Sequence, residues 1–177
     1  MNTIFTIGHS TRTIEEFIDL LQGHGIKQLV DIRSIPHSRF NPQFGQDKLK
    51  QSLEDSQIAY IYLKKLGGLR PLVKDSINDG WHNKSFRNYA DYMQTSGFEE
   101  GIDELIELSN NELSAIMCAE AVPWRCHRSL VSDALLQRDF KVCEIIGKTN
   151  TREHTLTSFA VVNGKKITYP KSALSEK

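Results

Sequence analysis

The stretch Met117 to Arg128 (MCAEAVPWRCHR) brings two thiols, an imidazole, a carboxylate and two guanidinium groups close together along the chain. Cys126-His127-Arg128 follows Pro123 and stands at the expected start of a helix. Free backbone N–H groups and the helix dipole favour an anion there. A cysteine in that place, beside arginines, can have its pKa lowered, and the thiolate is its reactive form. The functional reading is a nucleophilic or redox-sensitive Cys126, or an anion pocket walled by Arg125 and Arg128. The structural alternative packs Cys126 under the helix and pairs Arg128 with a nearby acid.

Two more specific chemistries fail on spacing. A thiol phosphatase loop needs an arginine six positions after its cysteine, whereas Arg125 comes seven after Cys118. Pro123 and Trp124 intervene, and the loop has no glycine to let its backbone wrap a phosphate. Cys118, Glu120, Cys126 and His127, with His9 or His37, offer metal donors. There is no Cys-x-x-Cys, however, and adjacent Cys126 and His127 diverge on a helix, so the residues suggest no metal. They require no cofactor either.

Other segments carry polar side chains that chemistry could use. His9, after Gly8, could act as general base or donate to a phosphate, with Ser10 or Thr11 capping the turn, or it could simply bond its neighbouring loop. Asp31, Arg33, Ser34, Ser38 and Arg39 form a second constellation. Guanidinium groups fork onto phosphate or carboxylate oxygens, and Asp31 could orient Arg33 or act as a base. The same Asp–Arg pair could instead organise the loop. Gly67-Gly68 permits close approach by a ligand or by backbone. Trp81, His82, Phe86, Tyr89 and Tyr92, near Lys84 and Arg87, could stack bases. Phe86 and Tyr89 are also spaced as a helix face, which favours a core role.

Positioning these groups falls to alternating strands and helices. Strands are expected at Thr3–Ile7, Leu29–Ile32, Ile58–Leu63, Leu113–Cys118 and Val142–Ile146, the fourth being a compact apolar run suited to a buried parallel strand. Thr13 and Glu16 form a capping box for a helix whose Ile14, Phe17, Ile18 and Leu21 share a face, and Gly25 ends it. Pro36 and Pro42 break the chain into a long loop. Helices are expected from about Gln46 to Ser56, over Ser85–Thr95 and Gly97–Leu108 with a break at Ser96-Gly97, and after Pro123 through Leu130, Val131, Ala134 and Leu135. Asn163-Gly164 marks a hairpin between Thr157–Val162 and Lys166–Tyr169. The pattern predicts one α/β domain over residues 1–177, with a mainly parallel sheet flanked by helices and a terminal β-hairpin. In such sheets ligands bind beyond the carboxyl ends of the strands. The polar and cationic residues above follow strand ends, whereas Gln22–Lys27 and Ser109–Glu112, at the opposite edge, carry turn residues and surface polars.

Composition narrows the partners. With 22 basic and 22 acidic residues in 177, no net charge draws the chain to nucleic acid or membrane. A local basic face built from Arg33, Arg39, Lys64, Lys65 and Arg70 is still expected. No apolar run approaches a membrane span. The N-terminal MNTIFTIGHST reads as strand rather than signal peptide. Three cysteines at uneven spacings argue against a disulfide framework and for reduced thiols in the cytoplasm.

TIGHS after the first strand, DIRSIPHSRFNPQF after the second, LGG after the third, and MCAEAVPWRCHR with HTLTSF downstream resemble the DUF488 family, a domain of unknown function. The resemblance covers nearly the whole chain in order. It implies an α/β fold and an intracellular bacterial or archaeal setting, and it supplies no substrate.

The leading expectation is an enzyme acting on a phosphorylated or other anionic substrate, a nucleotide or nucleic acid included. His9 or Glu120 would transfer a proton and Cys126 would be the nucleophile. Ser10, Asp31, Arg33, Ser38, Arg39, Gly67, Gly68, Arg125, His127 and Arg128 would hold the ligand. The rivals are a non-catalytic module gripping nucleic acid or a partner protein, and a cysteine redox sensor.

Overall fold

A computed structural model describes residues 2–176. Strands β1 (Asn2–Gly8), β2 (Gln28–Asp31), β3 (Ala59–Tyr62), β4 (Ser114–Cys118), β5 (Phe140–Ile145) and β6 (Thr151–Glu153) form one sheet in the order β3-β2-β4-β1-β5-β6. All neighbours are parallel except β5 and β6. Helices α1 (Ile14–Gly23) and α2 (Gln46–Asp55) cover one face, and α3 (Lys84–Tyr92), α4 (Ser96–Asn111) and α5 (Arg128–Leu136) cover the other. Strand side chains alternate between these layers. Leu29 and Met117 face Phe17, Leu21 and Leu53, while Val30 and Ile116 face Ile102, Leu105 and Leu130. Coverage on both faces explains why every residue of β4 is buried and reads as a continuous apolar run.

Local signals set the helix ends. Thr13 caps α1 by accepting from the Glu16 N–H, its hydroxyl also donates to the Glu16 carboxylate, and Gly25 adopts φ +71° beyond the last turn. Ser96-Gly97 lies within the first turn of α4 rather than at the break, because Thr95 is the cap and accepts from Phe98 N–H.

The end of the chain differs from the sequence expectation. Thr151–Glu153 adds an antiparallel edge strand that its three exposed polar residues do not announce. The hairpin strands are only β7 (Val161–Asn163) and β8 (Lys166–Thr168), and Asn163 pairs with Lys166, so the turn is Gly164-Lys165. Gly164 supplies the positive φ of +63° at its first position. Residues 157–160 do not join the hairpin, because Thr157 N–H is held by Asp133 of α5 at 3.1 Å. His154 and Tyr169 bond the same buried carboxylate at 2.8 and 2.7 Å, clamping this tail onto α5.

The topology opens a crevice at a defined place. From β2 the chain turns outward through α2 on one face, and from β4 it turns the opposite way through α5 on the other face. Their first residues therefore diverge just beyond the carboxyl ends of β2 and β4, the usual ligand position in open α/β sheets.

Candidate thiol site at the carboxyl edge of the sheet

β1 and β4 end side by side, Gly8 level with Cys118. His9 and Ser10 continue the ladder by donating backbone N–H groups to Cys118 and Ala119 carbonyls, both at 3.0 Å. This folds the loop after β4 directly over Gly8. A Cβ there would lie 1.5 Å from the Glu120 carbonyl oxygen, so only glycine allows the approach.

Beneath that loop lies Arg128, fully buried at 0% exposure. Its Nε donates to Cys118 Sγ at 2.9 Å, its Nη1 to Glu144 at 2.8 Å and Thr6 at 3.1 Å, and its Nη2 to the Glu120 carbonyl at 3.0 Å. Thr6 also donates to Glu144. Burial opposes the charge on Arg128, but Cys118 and Glu144 outweigh it and hold the guanidinium protonated. Each nitrogen of the Arg128 guanidinium thus donates to a group inside the protein.

Cys118 is the thiol this arrangement makes more acidic. Burial raises its pKa, yet the Cys126 thiol, the Arg128 charge and the Glu120 backbone together bring it below the ordinary thiol value. Cys126 behaves oppositely. Burial and the neighbouring Cys118 push its pKa well up, so it stays a thiol and donates to Cys118. Cys126 has extended backbone (φ −143°, ψ 152°) two residues before α5, and its sulfur accepts the Arg128 backbone N–H at 3.4 Å. His127 lies on the other side of Cys126. The Ile32 carbonyl, 2.9 Å from Nε2, can only accept, so Nε2 carries the proton and Nδ1 is left as an acceptor 3.4 Å from Cys126 Sγ. Burial lowers the His127 pKa to about 4, which keeps the ring neutral.

These sulfurs border a cavity of about 300 Å³ in the crevice between β2 and β4. Its walls include Arg33, Ser34, Gly68, Glu120, Arg125 and His127. Arg33 grips Asp31 through Nε and Nη2 at 2.9 and 2.8 Å, and Asp31 also accepts from Tyr60 at 2.6 Å. Arg33 is 95% buried, and its Nη1 has no hydrogen-bond partner among the described residues. Gly68 lies flat on His127, where a Cβ would stand 2.7 Å from Nδ1, and Gly67 packs as closely on Ser34. Arg125 is exposed at the rim. Among the described residues, no group of three or more His, Cys, Asp or Glu side chains is placed to hold a metal ion.

The remaining sequence candidates lie outside this cavity or contribute differently. His9 stacks on Phe44 at 4.4 Å and bonds the Ser10 carbonyl through Nδ1. Burial lowers its pKa to about 4, and it does not line the cavity. Ser10 holds φ +50° and works through its backbone. Glu120 borders the cavity, but it is its carbonyl, not its carboxylate, that accepts from Arg128 and lies 3.7 Å from Cys118 Sγ. Ser38 caps Asn41, and Arg39 is exposed over the Phe40 ring. The expected basic face is divided: Arg33 and Arg70 turn inward, Arg70 onto the Gly67, Lys64 and Lys65 carbonyls and the Tyr92 ring, while Lys64, Lys65 and Arg39 stay exposed. Phe86 and Tyr89 are core residues. Sequence reasoning left Cys118, Thr6 and Glu144 out of the site. The signal for Cys118 was its place at a strand's carboxyl end, whereas Thr6 and Glu144 read only as strand residues.

Comparison with curated proteins and with solved structures gave no match. A family model described as a domain of unknown function matches residues 13–135, taking in the loops after β2, β3 and β4 and most of α5. The cavity and both of its thiols fall inside that span. The chain belongs to the DUF488 family.

Proposed function

We propose that this protein is an enzyme acting on a phosphorylated or other anionic substrate, a class that includes nucleotides and nucleic acids, with Cys118 as its nucleophile. The observation that carries the reading is Cys118 Sγ, held 2.9 Å from a buried guanidinium on the wall of a cavity that also presents Arg33 and Arg125. The unpartnered Nη1 of Arg33 gives an entering anion a buried donor to satisfy. Cys118 attacks the electrophilic phosphorus or acyl carbon, and the leaving atom departs with its electron pair and takes the Cys126 proton. Water then cleaves the sulfur adduct, releasing the acid and returning a proton to Cys126. The reduced state of all three thiols suits the cytoplasm.

The test pairs a hydrolysis screen of phosphorylated compounds with alkylation mapped by mass spectrometry. Turnover should vanish in Cys118→Ser and survive in Cys143→Ser, and inorganic phosphate should slow alkylation of Cys118. A Cys118 that reacts no faster than Cys143 and ignores phosphate overturns the proposal. A second reading rests on the contact between the two thiols. Cys118 and Cys126 could pass two electrons and two protons to a low-molecular-weight disulfide, forming their own disulfide and releasing two thiols. A two-proton mass loss joining Cys118 to Cys126, alongside an empty hydrolysis screen, would favour it.

A further inference from the structure

On the other side of the Pro123–Arg125 turn lies a second cavity, of about 360 Å³. Pro123 and Trp124 line it, whereas Arg125 lines the thiol cavity, and Phe86 borders both. One short turn therefore separates the two spaces and contributes an indole to one and a guanidinium to the other.

Most polar groups around the second cavity are already bonded within the protein. Glu144 holds Arg128, Ser129 and Ser132 donate to the Cys126 and Arg128 carbonyls, and His154 bonds Asp133. The uncommitted groups are of another kind. Trp124 is 56% exposed although it is a large aromatic ring. The Arg152 guanidinium sits 5.4 Å from its centroid and makes no ion pair among the described residues. Trp81, edge-on to Phe86 at 5.1 Å and Phe159 at 4.8 Å, carries a buried Nε1–H with no acceptor among the described residues. An open indole, a planar cation and an unanswered N–H donor are what a flat, uncharged ring bearing acceptor atoms would engage.

We infer that this second cavity is a ring subsite for a planar heteroaromatic group of the nucleobase class, joined across the Trp124-Arg125 turn to the anion site beside Cys118. The inference rests on the reading of the thiol cavity and narrows its substrate to nucleotide-like molecules. Each cavity is of ligand size, and the two lie on either side of one short turn.

Both tryptophans of the chain line this cavity, so intrinsic fluorescence reports its occupancy. AMP, CMP, adenosine, ribose 5-phosphate and inorganic phosphate are titrated against the protein while Cys118 alkylation is followed in parallel. AMP or CMP should quench the indoles and bind at least about tenfold more tightly than ribose 5-phosphate, the scale of one base–aromatic stack. Trp124→Ala should erase that advantage and Trp124→Phe should keep it. Trp124 lies outside the core, and Trp81 still reports in both variants. Ribose 5-phosphate binding as tightly as AMP, or Trp124→Ala binding AMP like the unaltered protein, overturns the inference. Phosphate protection of Cys118 without any ring advantage defeats the ring subsite alone. Adenosine quenching that Trp124→Ala abolishes, with no phosphate protection, supports the ring subsite and defeats the anion site.

Discussion

Replacing Cys126 by alanine removes the one side-chain thiol that donates to Cys118 while leaving the Arg128 contact at 2.9 Å in place. A hydrogen bond to a charged acceptor contributes about 1.5 kcal/mol or more, and about 1.4 kcal/mol corresponds to one pKa unit. Cys126→Ala should therefore raise the Cys118 pKa by about one unit, returning it toward the ordinary thiol value of about 8.5. Near neutral pH the thiolate fraction, and with it the alkylation rate, falls by up to about tenfold where pH lies below both values. Cys126→Ser keeps an O–H donor and should retain most of the original behaviour. The assay is the pH profile of iodoacetamide incorporation at Cys118, read by peptide mass spectrometry and supported by ultraviolet thiolate absorbance. Cys126→Ala forfeits one buried sulfur, about 1 kcal/mol, so the fold should survive to be measured. An unaltered protein whose Cys118 titrates at or above the ordinary thiol value refutes the reasoning. So does a midpoint that Cys126→Ala leaves unmoved.

Other perturbations probe the supports of the site. Gly8→Ala drives a methyl into the Glu120 carbonyl and should displace the loop after β4, abolishing preferential Cys118 alkylation and lowering the melting temperature; an unchanged alkylation profile would contradict this close approach. Arg128→Met leaves Glu144 buried without its partner and should cost about 3–5 kcal/mol in chemical denaturation, while Arg128→Met with Glu144→Gln should recover part of that loss; additive losses would refute the pairing. His9 and His127 have folded pKa values of about 4 because of burial, against about 6.5 unfolded. The unfolded chain then binds their protons first, so stability is full above pH 6.5 and falls as pH drops toward 4. At pH 5 each histidine removes roughly 2 kcal/mol. Urea midpoints that do not fall between pH 7 and pH 5 would show that these rings are not buried as neutral groups.

Much of the fold was legible in the chain because its signals are local. The capping residues Thr13 and Glu16, the left-handed Gly25 and the helical spacing of Phe17 and Leu21 act within a turn or two of backbone, so α1 needs no tertiary information. Burial on both faces likewise marks β4 as an apolar run. The strand–helix alternation sufficed to predict the mainly parallel sheet, and residues of the stretch Met117 to Arg128 border a cavity at its carboxyl edge. Where the signal was weak, packing decided. Thr151–Glu153 pairs with β5 through backbone hydrogen bonds, which leave no mark on its polar side chains, and the hairpin shortened because Asp133 holds Thr157.

Which thiol is the more acidic could not be read from the stretch Met117 to Arg128. Local reasoning favours Cys126, nearer the helix start and between arginines. Tertiary structure favours Cys118, because ionisation follows three-dimensional distance and burial rather than sequence proximity. Arg128, ten residues away, reaches Cys118 with its Nε, and Glu144 and Thr6 from neighbouring strands fix the same guanidinium. Cys126 is left buried beside that sulfur, and burial first, then Cys118, pushes its pKa up. The order of strands and helices along the chain was enough to show which residues reach the carboxyl edge of the sheet. Only the register of β1 against β4, and the glycine that lets the loop close over it, decided which sulfur sits on the guanidinium.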